Sequence, residues 1–496
     1  MALPGILSAV NANLHGIDWG IIVGYVLAMM GLGAYLSTRI RGFKDYFLAG
    51  GMLTTPILIC TLVSTYYELD VTFGTSESAY YYGVVAWTWL NRPYYIAIIL
   101  AAILLAGRLK KMGGLMTLPD LLEKHYGLPT RIVGAAACFI YSLPITALAG
   151  MTVMFTLLGW DPVVALALSV GVCVVYTVMG GLWADAISDT VQFVLMCVSM
   201  AVAIPVALNW VGGWEFTQHL PVDDVTGVRQ HLTATGGLRP GIIIAWTIGA
   251  LTVFVEPAFY QRIFAARDHR SIIRALLVGI VLWASYDWGV TMIGLIARSA
   301  AEQGLLDGDL EGKHALVAVC LQTLPLGLKG LFIGGVLAAA MSSVDSYSLL
   351  ASGNVVYDIA RPLWPRPLSD RALVIATRIG IFGVMLVAVA ASLAFDRITD
   401  AWVFMSGALA SVVFVPVMGA IWLKPRRAAG LLSSSLGLLT FIVFHVLVRF
   451  NGSYDDEYES WSWTVGGVQL WREYAAIAAL PMSCLGFALG QMVGRK

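Results

Sequence analysis

The chain has 496 residues, of which 59% are hydrophobic and only 12% are charged. Because an ordinary soluble domain carries about 25% charged residues, this composition excludes a soluble globular fold and predicts an integral membrane protein. The formal net charge is zero, so the charge balance argues against nucleic acid as a partner.

Apolar runs long enough to cross a membrane recur from one end of the chain to the other. A spanning helix needs about 20 mostly apolar residues. The runs that meet this condition are 17–37, 54–82, 84–107, 130–158, 162–180, 187–208, 240–265, 271–297, 328–352, 371–395, 398–422, 428–449 and 473–493. We therefore expect an all-α protein with about 13 transmembrane helices.

The basic residues predict how these helices are oriented, because cytoplasmic loops of membrane proteins are enriched in Lys and Arg. With the N-terminus placed outside, the loops assigned to the cytoplasm hold 21 of the 30 basic residues. The acidic loops around 223–224, 302–311 and 455–459 then fall outside. An odd number of spans agrees with an outside N-terminus and a cytoplasmic C-terminus.

Two predicted helices carry polar runs at their centres, at 64–70 and at 341–346. A helix surrounded by lipid does not tolerate such a run, whereas secondary transporters place their binding sites at polar or broken helix centres. The two runs fall in two groups of five predicted helices, 54–210 and 240–422, which would be inverted repeats. The remaining segments are 1–53 with the first helix, the extracellular loop 211–239, and 423–496 with the last two helices.

Three further segments carry a resemblance to a known family. Gly180 to Gln192 reads GGLWADAISDTVQ, Tyr260 to Ala266 reads YQRIFAA, and Ala338 to Ser343 reads AAAMSS, followed by NVVYDI. Together and in this order, they resemble the sodium/solute symporters, a family that includes bacterial proline, sialic acid, pantothenate and galactose carriers and animal glucose and iodide carriers. The resemblance implies a leucine-transporter-like fold, with a five-plus-five inverted-repeat core, that moves a solute by alternating access.

The resemblance also implies a sodium site. In the family, backbone carbonyls of the first core helix and a carbonyl and two hydroxyls of the eighth core helix hold the ion. The matching positions are Ser64, Tyr67, Ala339, Ser342 and Ser343. Neutral oxygens beside a helix break suit a hard monovalent cation, although buried serines in membrane helices also bond simply to the preceding turn.

A second cation site is implied at Asp189, Asp345 and Ser346, where Asp345 replaces the serine common in the family. Asp345 lies on the same helical face as Ser342, so its carboxylate could strengthen cation binding or accept a proton. The alternative is a structural carboxylate that pairs with a cytoplasmic arginine or caps the neighbourhood of Asp189.

For the solute, the resemblance points to Glu68 and Asp70, which match substrate or near-substrate positions. Either these acids bind an ammonium group while Arg92 binds a carboxylate, or they pair with Arg92 as a structural gate. Tyr67, Val71, Gly249 and Thr252 occupy the other matching positions, and the last three lack the side chains of sugar carriers. We therefore expect an amino acid or another amine, covered by one or two of the many neighbouring aromatic residues.

Two acidic residues in later helices receive weaker interpretations. Glu256 precedes Pro257 and is expected to lie at a helix end rather than along the exit path. Asp287 lies inside the span 271–297 and is assigned no role.

These observations predict a sodium-coupled symporter that imports a small organic solute across the plasma membrane, the inner membrane of a bacterium. A proton-coupled symporter and a membrane solute sensor are the alternatives. An enzyme is not expected, because the chain has neither an HExxH nor a GxSxG motif. The sequence contains no signal for an oligomeric state.

Overall fold

The computed structural model describes residues 14–38, 40–66, 70–393, 395, 398–455 and 460–493. Most of these residues are helical. The α-helices are α1 (Gly16–Ser37), α2 (Phe43–Leu48), α3 (Thr55–Tyr66), α4 (Thr75–Tyr82), α5 (Arg92–Leu104), α6 (Ala106–Lys111), α7 (Leu118–Tyr126), α8 (Leu128–Tyr141), α9 (Ile145–Leu157), α10 (Pro162–Trp210), α11 (Pro240–Gly249), α12 (Pro257–Ala265), α13 (His269–Glu302), α14 (Ala315–Thr323), α15 (Leu328–Gly353), α16 (Arg361–Leu363), α17 (Asp370–Ser392), α18 (Ile398–Leu409), α19 (Val415–Trp422), α20 (Arg427–Asn451) and α21 (Ala475–Val493).

Eleven helices within the described ranges are long and apolar enough to cross a membrane, some of them after adjoining segments are joined. Two shorter apolar helices, Thr55–Tyr66 and Pro162–Val175, lie where the second and fifth spans were predicted. Every predicted run thus coincides with an apolar helix. The number thirteen itself stays a prediction, because these two helices are shorter than a bilayer usually requires.

Several predicted spans contain a segment that is not α-helical, among them 54–82 and 240–265. In the span 54–82, α3 ends at Tyr66, residues 67–69 lie outside the described ranges, and a π-helical turn at Asp70–Gly74 precedes α4. The span 240–265 consists of α11, a 3-10 turn at Ala250–Phe254 and α12. Pro257 is the first residue of α12, a position where the missing backbone N–H of proline has no helical partner to lose. Both breaks interrupt the backbone hydrogen bonding of a helix in the middle of a predicted span.

The helix α10 joins two runs that the hydropathy pattern separates, 162–180 and 187–208. Gly181 interrupts it with φ of 63° and ψ of 176°. A Cβ atom at this position would stand 2.8 Å from the backbone oxygen of Tyr46 and closer still to its ring. Glycine therefore allows both the positive φ and the close approach of α2.

The centre of the molecule is formed where α10 and α15 pack along each other, with α3 beside both and α1 covering the pair. Nearly every residue of α15 from Phe332 to Gly353 is buried. The helices α20 and α21 pack mainly against each other and bury little of their own surface. Polar side chains on α15 therefore face protein rather than lipid.

A small antiparallel sheet, which the hydropathy pattern does not predict, connects α20 and α21. Its strands are β1 (Ser453–Asp455), β2 (Ser460–Val465) and β3 (Val468–Trp471), in the order β1-β2-β3. Gly466 and Gly467 form the two-residue turn between β2 and β3, and both have positive φ. Such turns favour glycine, because their backbone twist matches that of the paired strands.

Candidate functional site

A series of hydrogen-bonded oxygens joins three helices at the centre of the molecule. The Ser64 hydroxyl on α3 donates to the Ser342 hydroxyl on α15 at 2.9 Å. The Ser342 hydroxyl donates to one oxygen of Asp189 on α10 at 2.5 Å. The other Asp189 oxygen accepts from the Thr61 hydroxyl at 2.5 Å. All four residues are fully buried, so this cluster concentrates oxygen ligands in the interior.

Two other predicted sodium ligands lie one helical turn apart on α15. The Ser343 hydroxyl donates to the Ala339 carbonyl oxygen at 2.9 Å, which is the local bond that buried serines in helices commonly make. The structure therefore brings Ser64 and Ser342 together directly and places Ala339 and Ser343 on the same helix. Tyr67, the remaining predicted ligand, lies outside the described residues.

The chemistry of these donors fits a monovalent cation of the hard class. Hydroxyl and carbonyl oxygens with a single carboxylate can replace the water around such an ion. In the part of the chain that the structure describes, no group of three or more His, Cys, Asp or Glu residues could hold a metal. The arrangement thus suits a transported ion better than a resident transition metal.

Ser346, one turn from Ser342, belongs to a second polar cluster. Its hydroxyl donates to Asp185 at 2.8 Å. The guanidinium of Arg262 donates to the hydroxyls of Ser346 and Thr65 at 2.6 Å each and lies 3.2 Å from the Asp185 carboxylate. This cluster, which we call the Arg262 cluster, ties α12 to α3, α10 and α15. Asp189, with which Ser346 was grouped, bonds instead to Ser342 and Thr61.

Asp345 lies on α15 between Ser342 of the first cluster and Ser346 of the Arg262 cluster, but its side chain has a different environment. Its side chain is buried, and neither carboxylate oxygen has a hydrogen-bond partner among the described residues. The Thr177 hydroxyl, which faces Asp345, also has none within those ranges. The nearby buried arginine, Arg262, forms its ion pair with Asp185. Among the described residues, no arginine forms an ion pair with Asp345.

A cavity of about 570 Å³, its open mouth included, lies next to the break between α3 and α4. Six helical regions line it: α3 with the turn after it, the start of α5, the end of α8, the break before α12, α13, and α18. The lining residues are Tyr66, Val71, Asn91, Tyr94, Tyr95, Ile98, Tyr141, Glu256, Trp283, Asp287 and Trp402.

Two buried carboxylates face this cavity. One oxygen of Asp287 accepts a hydrogen bond from the Tyr95 hydroxyl, and the other has no hydrogen-bond partner in the described part of the chain. Glu256 accepts from the Tyr347 hydroxyl at 2.6 Å. Asp287 and Glu256 are 3% and 1% exposed, so both carboxylates are held away from bulk water.

Aromatic rings form most of the remaining wall. Tyr66 and Trp283 meet edge to face, with ring centroids 5.3 Å apart. Tyr94 and Trp402 lie 5.2 Å apart at a tilt of 39°. Such pairs are mutually stabilising and give the wall a fixed shape.

The residues that were predicted to contact the solute differ in their positions relative to this cavity. Val71 lines it. Gly249 supports the wall, because a Cβ there would stand 2.9 Å from the Tyr94 hydroxyl. Thr252 lies behind the wall, and its hydroxyl donates to the Gly249 carbonyl at 2.7 Å.

Arg92 is exposed, and its guanidinium carbon lies 5.5 Å from the centre of the Trp89 ring. Glu68 and the side chain of Asp70 lie outside the described residues, as Tyr67 does. The expected pairing of Arg92 with these acids therefore stays a prediction.

Sequence reasoning missed Asp287 and Glu256 as cavity residues. A signal for Asp287 was present, because a charged side chain at the centre of a membrane helix costs about 2.5–3.5 kcal/mol and usually marks a functional site. Glu256 has a weaker signal, since a residue before proline at a helix start also has a purely structural explanation.

A cluster of buried oxygens beside a cavity at interrupted helices is the arrangement of a secondary transporter coupled to an ion. The chain belongs to the sodium:solute symporter family, whose family model matches residues 46–437. It is 24% identical to the osmoregulated proline transporter of Bacillus subtilis, over 87% of this chain and 89% of that protein. It is 23% identical to the human high affinity choline transporter 1, over 88% of this chain and 71% of that protein.

A solved structure of a Na+-coupled sialic acid symporter, in a substrate-bound outward-open state, has the same fold. It aligns with a TM-score of 0.77 at 18% identity and covers 97% of this chain and 98% of its own. The predictions of a leucine-transporter-like fold, of sodium-coupled solute symport and of sodium as the co-transported ion are thereby confirmed. The related proteins are transporters, so the prediction that the chain is not an enzyme is confirmed as well.

Proposed function

We propose that the driving sodium ion binds where Ser64, Ala339, Ser342 and Ser343 meet Asp189, with Tyr67 adding a backbone oxygen. The observation that carries this proposal is the hydrogen-bonded series from Ser64 through Ser342 to Asp189. It gathers hydroxyl and carboxylate oxygens from three helices around one buried point. A sodium ion there would neutralise a carboxylate that is otherwise bonded only to hydroxyls among the described residues.

A second cation site is also proposed, with fewer ligands than the three residues that the sequence suggested. Asp345 supplies a buried carboxylate whose two oxygens lack partners in the described ranges, which favours a cation near it. Ser346 is engaged in the Arg262 cluster, and Asp189 accepts from Thr61 and Ser342, so Asp345 would be the main ligand of such a site.

The solute is proposed to bind in the cavity beside the sodium site and to be an amino acid or another amine. Proteins named for proline and for choline are among the relatives. Transport would proceed by alternating access, with the helix groups 54–210 and 240–422 moving relative to each other around the cavity. The distribution of basic residues supports a plasma-membrane protein with its N-terminus outside and its C-terminus in the cytoplasm.

Thermal unfolding of the purified protein tests the sodium site without knowledge of the solute. A ligand that binds only the folded state raises the unfolding midpoint. We expect sodium chloride to raise the midpoint of the wild type relative to potassium chloride at equal ionic strength. Ser342→Ala should raise the half-maximal sodium concentration about tenfold or more, the loss expected when one contact to a charged group is removed.

Ser348→Ala is the matched control. Ser348 lies on the same helix and is equally buried, but its hydroxyl contacts the sulfur of Met385. It should respond to sodium as the wild type does. A wild-type sodium response in Ser342→Ala would show that the ion binds elsewhere, and a response to pH in place of sodium would favour proton coupling.

A further inference from the structure

We infer that the solute is a positively charged amine without a carboxylate of its own, and that Asp287 and Glu256 recognise its charge. This inference rests on the proposal that the solute binds in the cavity described above. It narrows the proposed class of solute, an amino acid or another amine, to amines that lack a carboxylate.

The charge of the cavity wall is the first argument. Its described lining contains two carboxylates and no Lys, Arg or His. The stretch 67–70, between two lining residues, reads Tyr-Glu-Leu-Asp and adds no basic residue in sequence. Arg92, the basic residue that follows Asn91 directly, is exposed and lies against Trp89. A solute carboxylate would therefore approach buried like charges with no side-chain cation on the described part of the wall to offset them.

The geometry of Asp287 is the second argument. Tyr95 donates to one of its oxygens, which holds the carboxylate in place. The other oxygen is buried and has no donor within the described residues. A buried acceptor without a partner is costly, and a charged donor satisfies it most strongly. An ammonium N–H of the solute is a donor of this kind.

The aromatic wall is the third argument. Six of the eleven lining residues are Tyr or Trp. Aromatic faces attract organic cations through the negative charge on the ring face, and cavities rich in Tyr and Trp bind ammonium groups for this reason. Trp283 lies one helical turn before Asp287 on α13, so both side chains approach the cavity from the same face of one helix.

A panel of small solutes of different charge tests this inference. The cations are dimethylethanolamine, ethanolamine, putrescine and agmatine, all of which carry N–H donors, and the comparison solutes are proline, which is a zwitterion, and glucose, which is neutral. Each is added to the purified protein at saturating sodium, and the shift of the thermal unfolding midpoint is measured. We expect at least one cation to stabilise the protein at a concentration at least tenfold lower than proline or glucose. The same cation should accumulate in proteoliposomes under an inward sodium gradient.

Substitutions of Asp287 and Glu256 test whether these two carboxylates cause the stabilisation by the cation. Asp287→Asn should weaken binding of the stabilising cation about 10- to 100-fold, the loss expected for a charge-assisted hydrogen bond, and Glu256→Gln should also weaken it. Glu302→Gln is the control, because Glu302 lies at the far end of the same helix and pairs with Arg298. Size-exclusion profiles that match the wild type show that the variants are folded.

The outcomes separate this inference from the proposal for the sodium site. If sodium stabilises the wild type but none of the four cations does so, or if proline or glucose binds more tightly than every cation, the inference is overturned and the sodium site stands. Wild-type cation affinity in Asp287→Asn would also overturn it. If a cation binds and Ser342→Ala keeps a normal sodium response, the sodium site is wrong and the cavity assignment stands.

Discussion

Arg262 shows how a charged residue is tolerated in the interior of a membrane protein. Its side chain is fully buried, as is that of its carboxylate partner Asp185. The hydroxyls of Thr65 and Ser346 complete its surroundings. Removing two charges from water costs several kcal/mol each, so such a pair persists only when its partners are well placed. The net contribution of the pair can be small, but the loss of one member is costly.

This cost gives a prediction for the free energy of unfolding. Asp185→Asn should lower it by about 3–5 kcal/mol, because Arg262 is left buried without a carboxylate. The double variant Asp185→Asn/Arg262→Gln should recover part of the loss. Denaturant unfolding in detergent measures both.

The exposed ion pair between Arg298 and Glu302 provides the comparison. Its atoms approach to 2.7 Å, but its side chains are 29% and 39% exposed. Glu302→Gln should therefore cost only about 0.5 kcal/mol. Equal losses in Glu302→Gln and Asp185→Asn would mean that the Arg262 cluster is hydrated and not buried as described.

At the scale of elements, the end of α4 depends on one glycine. Gly83 follows α4 with φ of 79°, and the backbone N–H of Val84 donates to the His231 carbonyl at 2.8 Å. A Cβ at Gly83 would lie 2.0 Å from that same carbonyl oxygen. The loop 211–239 therefore packs on the end of α4 only because no side chain intervenes.

We predict that Gly83→Ala displaces this loop and destabilises the protein well beyond the cost of a positive φ alone. Gly212→Ala isolates that cost, because Gly212 has φ of 88° and nothing within 4 Å of its Cβ position. It should lose about 1 kcal/mol. Thermal unfolding and limited proteolysis of the loop compare the two variants, and equal stability would show that the loop adjusts freely.

At the scale of the whole molecule, one helix connects the two sites. Ser64 of the proposed sodium site and Tyr66 of the cavity wall are two residues apart on α3. The indole of Trp283, another wall residue, donates to the Val63 carbonyl at 3.4 Å. A shift of the end of α3 would therefore change both sites together, which is the physical requirement for coupled transport.

This arrangement predicts reciprocal coupling between ion and solute. Sodium should raise the affinity for the transported amine about 5- to 150-fold, and the amine should raise sodium affinity by the same factor. Titrations of each ligand at low and saturating concentrations of the other measure the two factors. Unequal factors at equilibrium would mean that a further ligand, such as a second cation, changes its occupancy between the titrations.

The sequence by itself determined the class of protein and the position of its helices along the chain. Hydropathy is a local property, so apolar runs of membrane length are visible without a fold. The polar run that begins at Ser64 and the one that includes Ser342 were also visible, because polar residues in such runs are costly. With the family resemblance, they were sufficient to indicate sodium-coupled transport.

Only the tertiary structure decided which side chains share a site. Tyr66 and Trp402 lie 336 residues apart in sequence and line one cavity, and the pairing of Asp185 with Arg262 joins separate helices. Asp287 was visible as an acid in an apolar helix, but its cavity exists only where six helical regions meet. The sequence shows that a buried charge needs a partner, whereas the packing of distant helices determines which partner, and thus which solute, it can bind.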